Sequence, residues 1–255
     1  HDFDTPAGFN RSGISAESGN IQVRPLRVSE HGDLLAQRTI VGWIIVRNRR
    51  AGPDPIGAGL NIEHTSPGLI EFRRKFTNGP GFGGITRNLD IDKPILAAVN
   101  GFAISGGFEL SLACDIRFCS PDAEFALQDA KWGFHACDGG LIRLPQIVGM
   151  GHAMEIILSG ERVDAEHAYR IGLVNRIYPQ HELLAKTLAY AQMLASRSPL
   201  SQRFAKEVVR RSVGMHMDEA LKWESRSFRD VAFTDDLKEG LASFKERRPA
   251  DFKGS

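Results

Sequence analysis

The sharpest hydrophobic pattern in the chain is the unbroken apolar run over 94–99, Pro94-Ile95-Leu96-Ala97-Ala98-Val99. A short run with no polar interruption predicts a strand buried on both faces. Asn100-Gly101 ends it with turn chemistry, and Gly106-Gly107 then opens a helical stretch. Residues 39–48 (Thr-Ile-Val-Gly-Trp-Ile-Ile-Val-Arg-Asn) are β-branched and predict another strand. A turn over 51–55 and a helix over 69–76 follow. Residues 116–119 and 123–127 read as short strands separated by the turn Ser120-Pro121-Asp122. Residues 150–158 predict a helix, and Asp164 predicts the cap of another that ends at Gly172. Residues 173–177 read as a last short strand. Beyond His181 the pattern is helical, with breaks near Ser198-Pro199 and at Gly214. Strands alternating with helices imply βαβ units with right-handed crossovers.

Composition narrows the function classes. The 255 residues can bury a full core and suit one large domain with a small appendage. We expect a poorly ordered arm over 1–20, a core over 21–198 and a helical region over 199–255. A net charge of +1 gives no argument for a nucleic-acid or membrane partner. Three cysteines without zinc-like spacing argue for reduced thiols and a cytoplasmic setting. No apolar run approaches a membrane span, no secretory segment is evident at the start, and no internal repeat is visible.

Candidate chemistry centres on the turn after the buried strand. A strand that turns into a helix leaves backbone N–H groups unpaired, and these attract developing negative charge. Two glycines let a ligand approach that backbone. Glu109 is the only charge between Gly101 and Cys114. A carboxylate in apolar company is costly unless a salt bridge or a reaction uses it. Ser105, between strand and helix, also mimics a nucleophile elbow, but His167, His181 and His216 all fall in helical stretches. Gly79-Pro80-Gly81-Phe82-Gly83-Gly84 satisfies a G-x-G-x-x-G pattern with no strand before it, so it reads as a mobile loop near the site rather than a dinucleotide fingerprint.

Lys93-Pro94-Ile95-Leu96-Ala97-Ala98-Val99-Asn100-Gly101, then Gly106-Gly107-Phe108-Glu109-Leu110 and Ala113-Cys114-Asp115-Ile116, resembles the crotonase (enoyl-CoA hydratase/isomerase) superfamily. The resemblance runs from about Gly57 to Gly254. It implies an α/β crotonase-like fold, with repeated ββα units forming a packed sheet core and a C-terminal helical trimerisation region. It implies a CoA-thioester enzyme, a lyase of fatty acid metabolism, with 2-enoyl-CoA hydratase as the first reading. The alternatives are an enoyl- or dienoyl-CoA isomerase, a CoA-thioester hydrolase, a serine hydrolase using Ser105, and a non-catalytic scaffold.

By the same resemblance Glu109 and Asp129 are the two carboxylates, one activating water and the other protonating the α-carbon. Two nearby acids in different environments divide acid and base roles. Asp129 stands where a glutamate is usual and reaches one methylene less far; on the residues alone it could also be a turn or cap residue. The N–H groups of Ala58 and Gly106 correspond to the oxyanion hole, each such donor contributing about 3 kcal/mol. Gly57, Leu60 and Gly107 flank them as substrate contacts. Gly59 replaces the usual aspartate of that segment.

Gly133-Phe134-His135-Ala136-Cys137-Asp138-Gly139-Gly140 stands where hydratases carry a glycine-rich loop, with Cys137 at its first glycine. Related isomerases and a dehalogenase place an aspartate at the Cys137 position, one residue from Asp138, so Asp138 is a candidate third carboxylate. A buried free thiol and a surface aspartate are the plainer readings. Phe244 and Arg247 fall where a neighbouring subunit touches coenzyme A; Arg suits phosphate, and a solvated basic helix end is the other reading. No metal or cofactor is expected, coenzyme A being part of the substrate. The expected partners are an acyl-CoA and other copies of the chain, in a trimer or a dimer of trimers.

Overall fold

The computed structural model describes residues 21–26, 41–46, 79, 81–87 and 91–255. The expectations for residues 1–20, 51–55 and 69–76, and for Gly57, Ala58 and Leu60, lie outside the described residues. Strands β1 (Ile21–Leu26), β2 (Val41–Val46), β3 (Ile95–Val99), β5 (Ile116–Cys119) and β8 (Arg176–Ile177) form one sheet in the order β1-β2-β3-β5-β8. The first pair is antiparallel and the others are parallel. A second sheet holds β4 (Phe102–Ile104), β6 (Glu124–Ala126) and β7 (Val163–Asp164), with β4 parallel and β7 antiparallel to β6.

Two consecutive chain segments repeat one plan: a strand of the first sheet, a short strand of the second, then helical structure. The first is β3-β4-α1, with α1 at Gly106–Ala113. The second is β5-β6, a 3-10 turn at Gln128–Trp132, and α2 at Gly140–Val148. This is the ββα repetition of a crotonase-like fold. Helices α3 (Met150–Ser159) and α4 (Ala165–Arg170) follow, then the helical C-terminal part: α5 (Leu183–Ala195), α6 (Pro199–Arg211), α7 (Met217–Ala232) and α8 (Asp235–Glu246). Among the described residues, no helix is long and apolar enough to cross a membrane.

Strand β3 is buried along its whole length, as the unbroken apolar run predicts. Ile95, Ala97 and Val99 join the main core with Phe108, Phe125 and Leu144, while Leu96 and Ala98 join a second cluster with Phe118, Leu183 and Ala191. Period-two alternation thus divides one strand between two cores. Phe118 stands edge-on to Tyr178 and Tyr190, with ring centroids 5.5 and 5.2 Å away.

Polar side chains lock these layers. Asp115 accepts from Ile95 N–H and pairs with Lys206 and Arg210 of α6 at 2.7 and 2.9 Å. The buried Arg117 guanidinium donates to the carbonyls of Leu173, Ser111 and Cys114. Asp164 caps α4 by accepting from His167 N–H, as expected, and Ser198 caps α6 ahead of Pro199. The strand expected over 173–177 shortens to Arg176–Ile177, because the N–H groups of Leu173 and Val174 turn back to Ala168 O.

Candidate active site

The site is built at the start of α1. Ser105 N–H bonds Ala126 O across to β6, and Glu109 N–H bonds Ser105 O. Among the described residues, the first-turn N–H groups of Gly106, Gly107 and Phe108 are therefore the helix-end donors left over. Ser105 makes the turn at φ 47°, ψ −115°, a conformation unfavourable for a residue with a Cβ. The Phe82 ring lies against Gly106, whose absent Cβ would come 3.0 Å from Cε2. Among the described residues Ser105 Oγ makes no hydrogen bond to a histidine, the partner a serine nucleophile needs.

One turn further, Glu109 is 2% exposed. Its Oε1 accepts from two main-chain donors of the 133–140 loop, Asp138 N–H at 2.6 Å and Gly140 N–H at 2.9 Å. Gly140 must be small here, since an added Cβ would meet Glu109 Cγ and Oε1 at 3.2 Å. Oε2 has no hydrogen-bond partner among the described residues. Burial pushes the Glu109 carboxyl above the usual carboxylate range, the two N–H donors oppose that rise, and the neighbouring Asp138 and Asp129 carboxylates add to it. A structural salt bridge does not form: no cation pairs with Glu109 among the described residues.

Asp129 sits in the 3-10 turn after β6 and is buried. Its Oδ2 is enclosed without a hydrogen-bond partner. The plainer reading of Asp129 as a cap needs a side-chain bond to a main-chain donor, and none forms among the described residues. A buried carboxylate oxygen left unpaired is costly unless water or a ligand meets it. Glu109 and Asp129 thus come from two elements and are near enough for Asp129 to raise the Glu109 pKa, one with an oxygen anchored and the other with an oxygen unpaired.

The glycine-loop residues differ from their plainer readings. Cys137 is exposed rather than buried, because Ala136 takes the inward position. The Cys137 thiol is nonetheless pushed up to about 11, by partial burial first and then by Glu109, Asp138 and Asp129, with Arg87 opposing. Asp138 is buried, not superficial. Its carboxylate accepts from Phe82 N–H at 2.6 Å, from the Thr86 hydroxyl and from Arg87 Nε. Sequence reasoning missed Thr86, Arg87 and Arg143 entirely; Arg143 donates to the carbonyls of Asp138 and Thr86. A basic residue three positions past the glycine pair was their one local signal.

Phe244 is 86% exposed on α8, and Arg247 follows it at the helix end in a left-handed conformation. Among the described residues neither meets the site. Among the described residues no group of His, Cys, Asp and Glu is arranged to hold a metal ion.

Comparison with known proteins bears on this geometry. The family model described as enoyl-CoA hydratase/isomerase matches residues 57–255. The chain is 39% identical over 181 residues to proteins named carnitinyl-CoA dehydratase from Salmonella arizonae and Citrobacter koseri, covering 69% of this chain and 69% of each relative. The crystal structure of an enoyl-CoA hydratase from Mycobacterium tuberculosis superposes with a TM-score of 0.68 at 33% identity, covering 73% of this chain and 75% of that one. One from Bacillus anthracis gives 0.67 at 31%, covering 75% and 73%.

Proposed function

Because the chain belongs to the enoyl-CoA hydratase/isomerase family, we propose that it reversibly adds water across the α,β-double bond of a 2-enoyl-CoA thioester. The observation that carries this reading is the pair of buried carboxylates, Glu109 with a raised pKa and Asp129 with an unpaired oxygen, with Glu109 in the first turn of a helix whose leading N–H groups have no partner among the described residues. In the hydration direction the water oxygen bonds the β-carbon while one carboxylate takes its proton. The alkene electrons move onto the thioester carbonyl, and the other carboxyl delivers a proton to the α-carbon as the enolate collapses. Gly106 N–H, with Ala58 N–H as its partner by family resemblance, stabilises the enolate oxygen. Gly57, Leu60 and Gly107 would line the thioester, and coenzyme A arrives with the substrate, so the reaction needs no further cofactor. The names of the relatives from Salmonella arizonae and Citrobacter koseri fit the reverse, dehydrating direction.

An isomerase reading needs a further free carboxylate from the glycine loop. The Asp138 carboxylate is committed to Phe82, Thr86 and Arg87, which favours the hydratase over that alternative. Phe244 and Arg247 would reach the coenzyme A of a neighbouring copy. Self-association into a trimer or a dimer of trimers is supported by exposed Phe228, Phe233, Leu221 and Leu241 on α7, α8 and the turn between them. Leu183, by contrast, is consumed in the chain's own core.

The test is turnover of a panel of enoyl-, dienoyl- and β-ketoacyl-CoA thioesters in water enriched in heavy oxygen. Label should enter the product of a 2-enoyl-CoA. Glu109→Gln and Asp129→Asn should each lower that rate by about 10² to 10⁴. Preference for a dienoyl or β-ketoacyl substrate, or an Asp129→Asn variant within tenfold of wild type, would overturn the assignment.

A further inference from the structure

We propose that Asp138 is a positioning residue that ties the 81–87 segment, and with it the wall over Gly106, to the main-chain donors that hold Glu109. This rests on the hydratase reading for its consequence in catalysis, while the tether itself does not depend on it.

Asp138 directs its polar groups two ways. Its side chain has no exposure, and it accepts from three donors of one short segment: Phe82 N–H, the Thr86 hydroxyl and Arg87 Nε. Its main-chain N–H points the other way, to Glu109 Oε1 at 2.6 Å. One residue therefore holds the loop with its side chain and the carboxylate with its backbone. A shift in the first shifts the second, because both leave the same Cα.

Two further bonds close the tie. Arg87 Nη2 donates to Cys137 O at 2.8 Å, and Arg143 bridges Asp138 O and Thr86 O. The segment is drawn in so tightly that Gly81, at φ 78°, has no room for a Cβ, which would overlap Thr86 Oγ1 and lie 2.7 Å from Asp138 Oδ2. Phe82 is the first residue held, and its ring is the one that rests on Gly106. Releasing Asp138 would thus loosen the wall beside Gly106 and the seat of Glu109 together. Its charge matters as well as its geometry, since the Asp138 carboxylate also acts on Glu109 and on the Cys137 thiol.

The full-length protein carrying Asp138→Asn tests this. The amide cannot accept from all three donors, because one of its two heavy atoms is itself a donor. Amide hydrogen exchange at Phe82, Asp138 (as Asn) and Gly140 should accelerate at least tenfold, and unchanged exchange at these amides overturns the proposal. With a 2-enoyl-CoA that the wild type hydrates, kcat should fall at least 30-fold while KM stays within threefold. An unchanged kcat, or a loss confined to KM, also overturns it.

A readout independent of turnover is alkylation of Cys137 by iodoacetamide, the other two cysteines being buried. Its pH midpoint should drop from about 11 in Asp138→Asn and stay in place in Thr86→Val, which removes a donor but no charge. Equal midpoints in both variants would reduce Asp138 to a packing role and overturn the proposal. If Asp138→Asn does not fold, Thr86→Val must still accelerate exchange at Phe82 and Gly140, or the tether is refuted. A wild type that hydrates no enoyl-CoA would refute the hydratase reading, while exchange and alkylation would still decide the tether.

Discussion

On the proposed hydratase reading, Gly140→Ala probes how closely the fold positions the Glu109 carboxylate. Gly140 opens α2 and gives its N–H to Glu109 Oε1 at 2.9 Å. The new methyl carbon would stand 3.1 Å from Ala136 Cβ and 3.2 Å from Glu109 Cγ and Oε1. Saturated carbons pack at about 3.5–4.0 Å, so the methyl needs a retreat of about 0.4 Å from its neighbours. Ala136 sits on a loop pinned by its own neighbours, which leaves the Glu109 side chain to yield. Replacing glycine in a helix gains about 0.5–1 kcal/mol, and overpacking a core costs about 1–3 kcal/mol. The net should be a loss near 1 kcal/mol, or about 2–4 °C in Tm for a chain of this size. The catalytic cost should be much larger, because displacing a reacting group by about 1 Å can cost about 10²-fold. We therefore expect kcat for 2-enoyl-CoA hydration to drop about 10- to 100-fold with a nearly unchanged melt. Initial rates and scanning calorimetry on the same preparation measure both. A kcat within twofold of wild type would refute the claim that the two main-chain donors set the working position of Glu109. A fall in Tm beyond about 10 °C would refute the claim that the carboxylate, not the backbone, absorbs the crowding.

Two other outcomes follow from the same geometry. Ser105 holds φ 47°, ψ −115°, so Ser105→Gly should be more stable than Ser105→Ala by about 1 kcal/mol, the reverse of their order at an ordinary helical position; an alanine variant that melts higher shows that the turn carries no such strain. Glu109 has its folded pKa raised by burial, so its stabilising contribution is complete below the ordinary carboxylate range and is lost as pH rises through the raised value. Glu109→Gln should therefore gain in Tm over wild type on going from pH 4 to pH 8. The gain is about 1.4 kcal/mol for each pH unit by which the folded pKa exceeds the unfolded one, and parallel pH profiles for the two proteins would contradict a raised pKa.

Much of the framework is legible because the signals are local. The apolar run that becomes β3 has no polar residue to interrupt it, and Asp164 caps the helix that begins one residue later. Glu109 stands out as the sole charge in its stretch. What stays hidden is held by distant partners. Arg87 and Asp138 are 51 residues apart, and Thr86 and Asp138 52, so no periodicity could join them. β1 sits in a stretch with no readable pattern, and β4 is only three residues long between Gly101 and Ser105. Its pairing with β6 is parallel and non-local, so it leaves no alternation to count. The thiol and the aspartate of the glycine loop exchange the expected positions, inside for Asp138 and outside for Cys137. Direction of a side chain in an irregular loop is set by what it meets, and Phe82, Thr86 and Arg87 come from another part of the chain.

The choice of partners around the site has a chemical logic. On the proposed hydratase reading, a carboxyl that takes or gives a proton cannot be paired with a fixed cation, which would hold it ionised. It must still be oriented, and an unsatisfied buried carboxylate is costly. Main-chain N–H groups meet both demands, because they hold Oε1 in place while the burial of Glu109 and the nearby Asp138 and Asp129 still keep its pKa raised. The nearby guanidinium groups are turned elsewhere: Arg87 to Asp138 and Cys137 O, Arg143 to the carbonyls of Asp138 and Thr86. Asp138 thereby takes the Arg87 guanidinium, and its own backbone supplies one of the two neutral donors to Glu109.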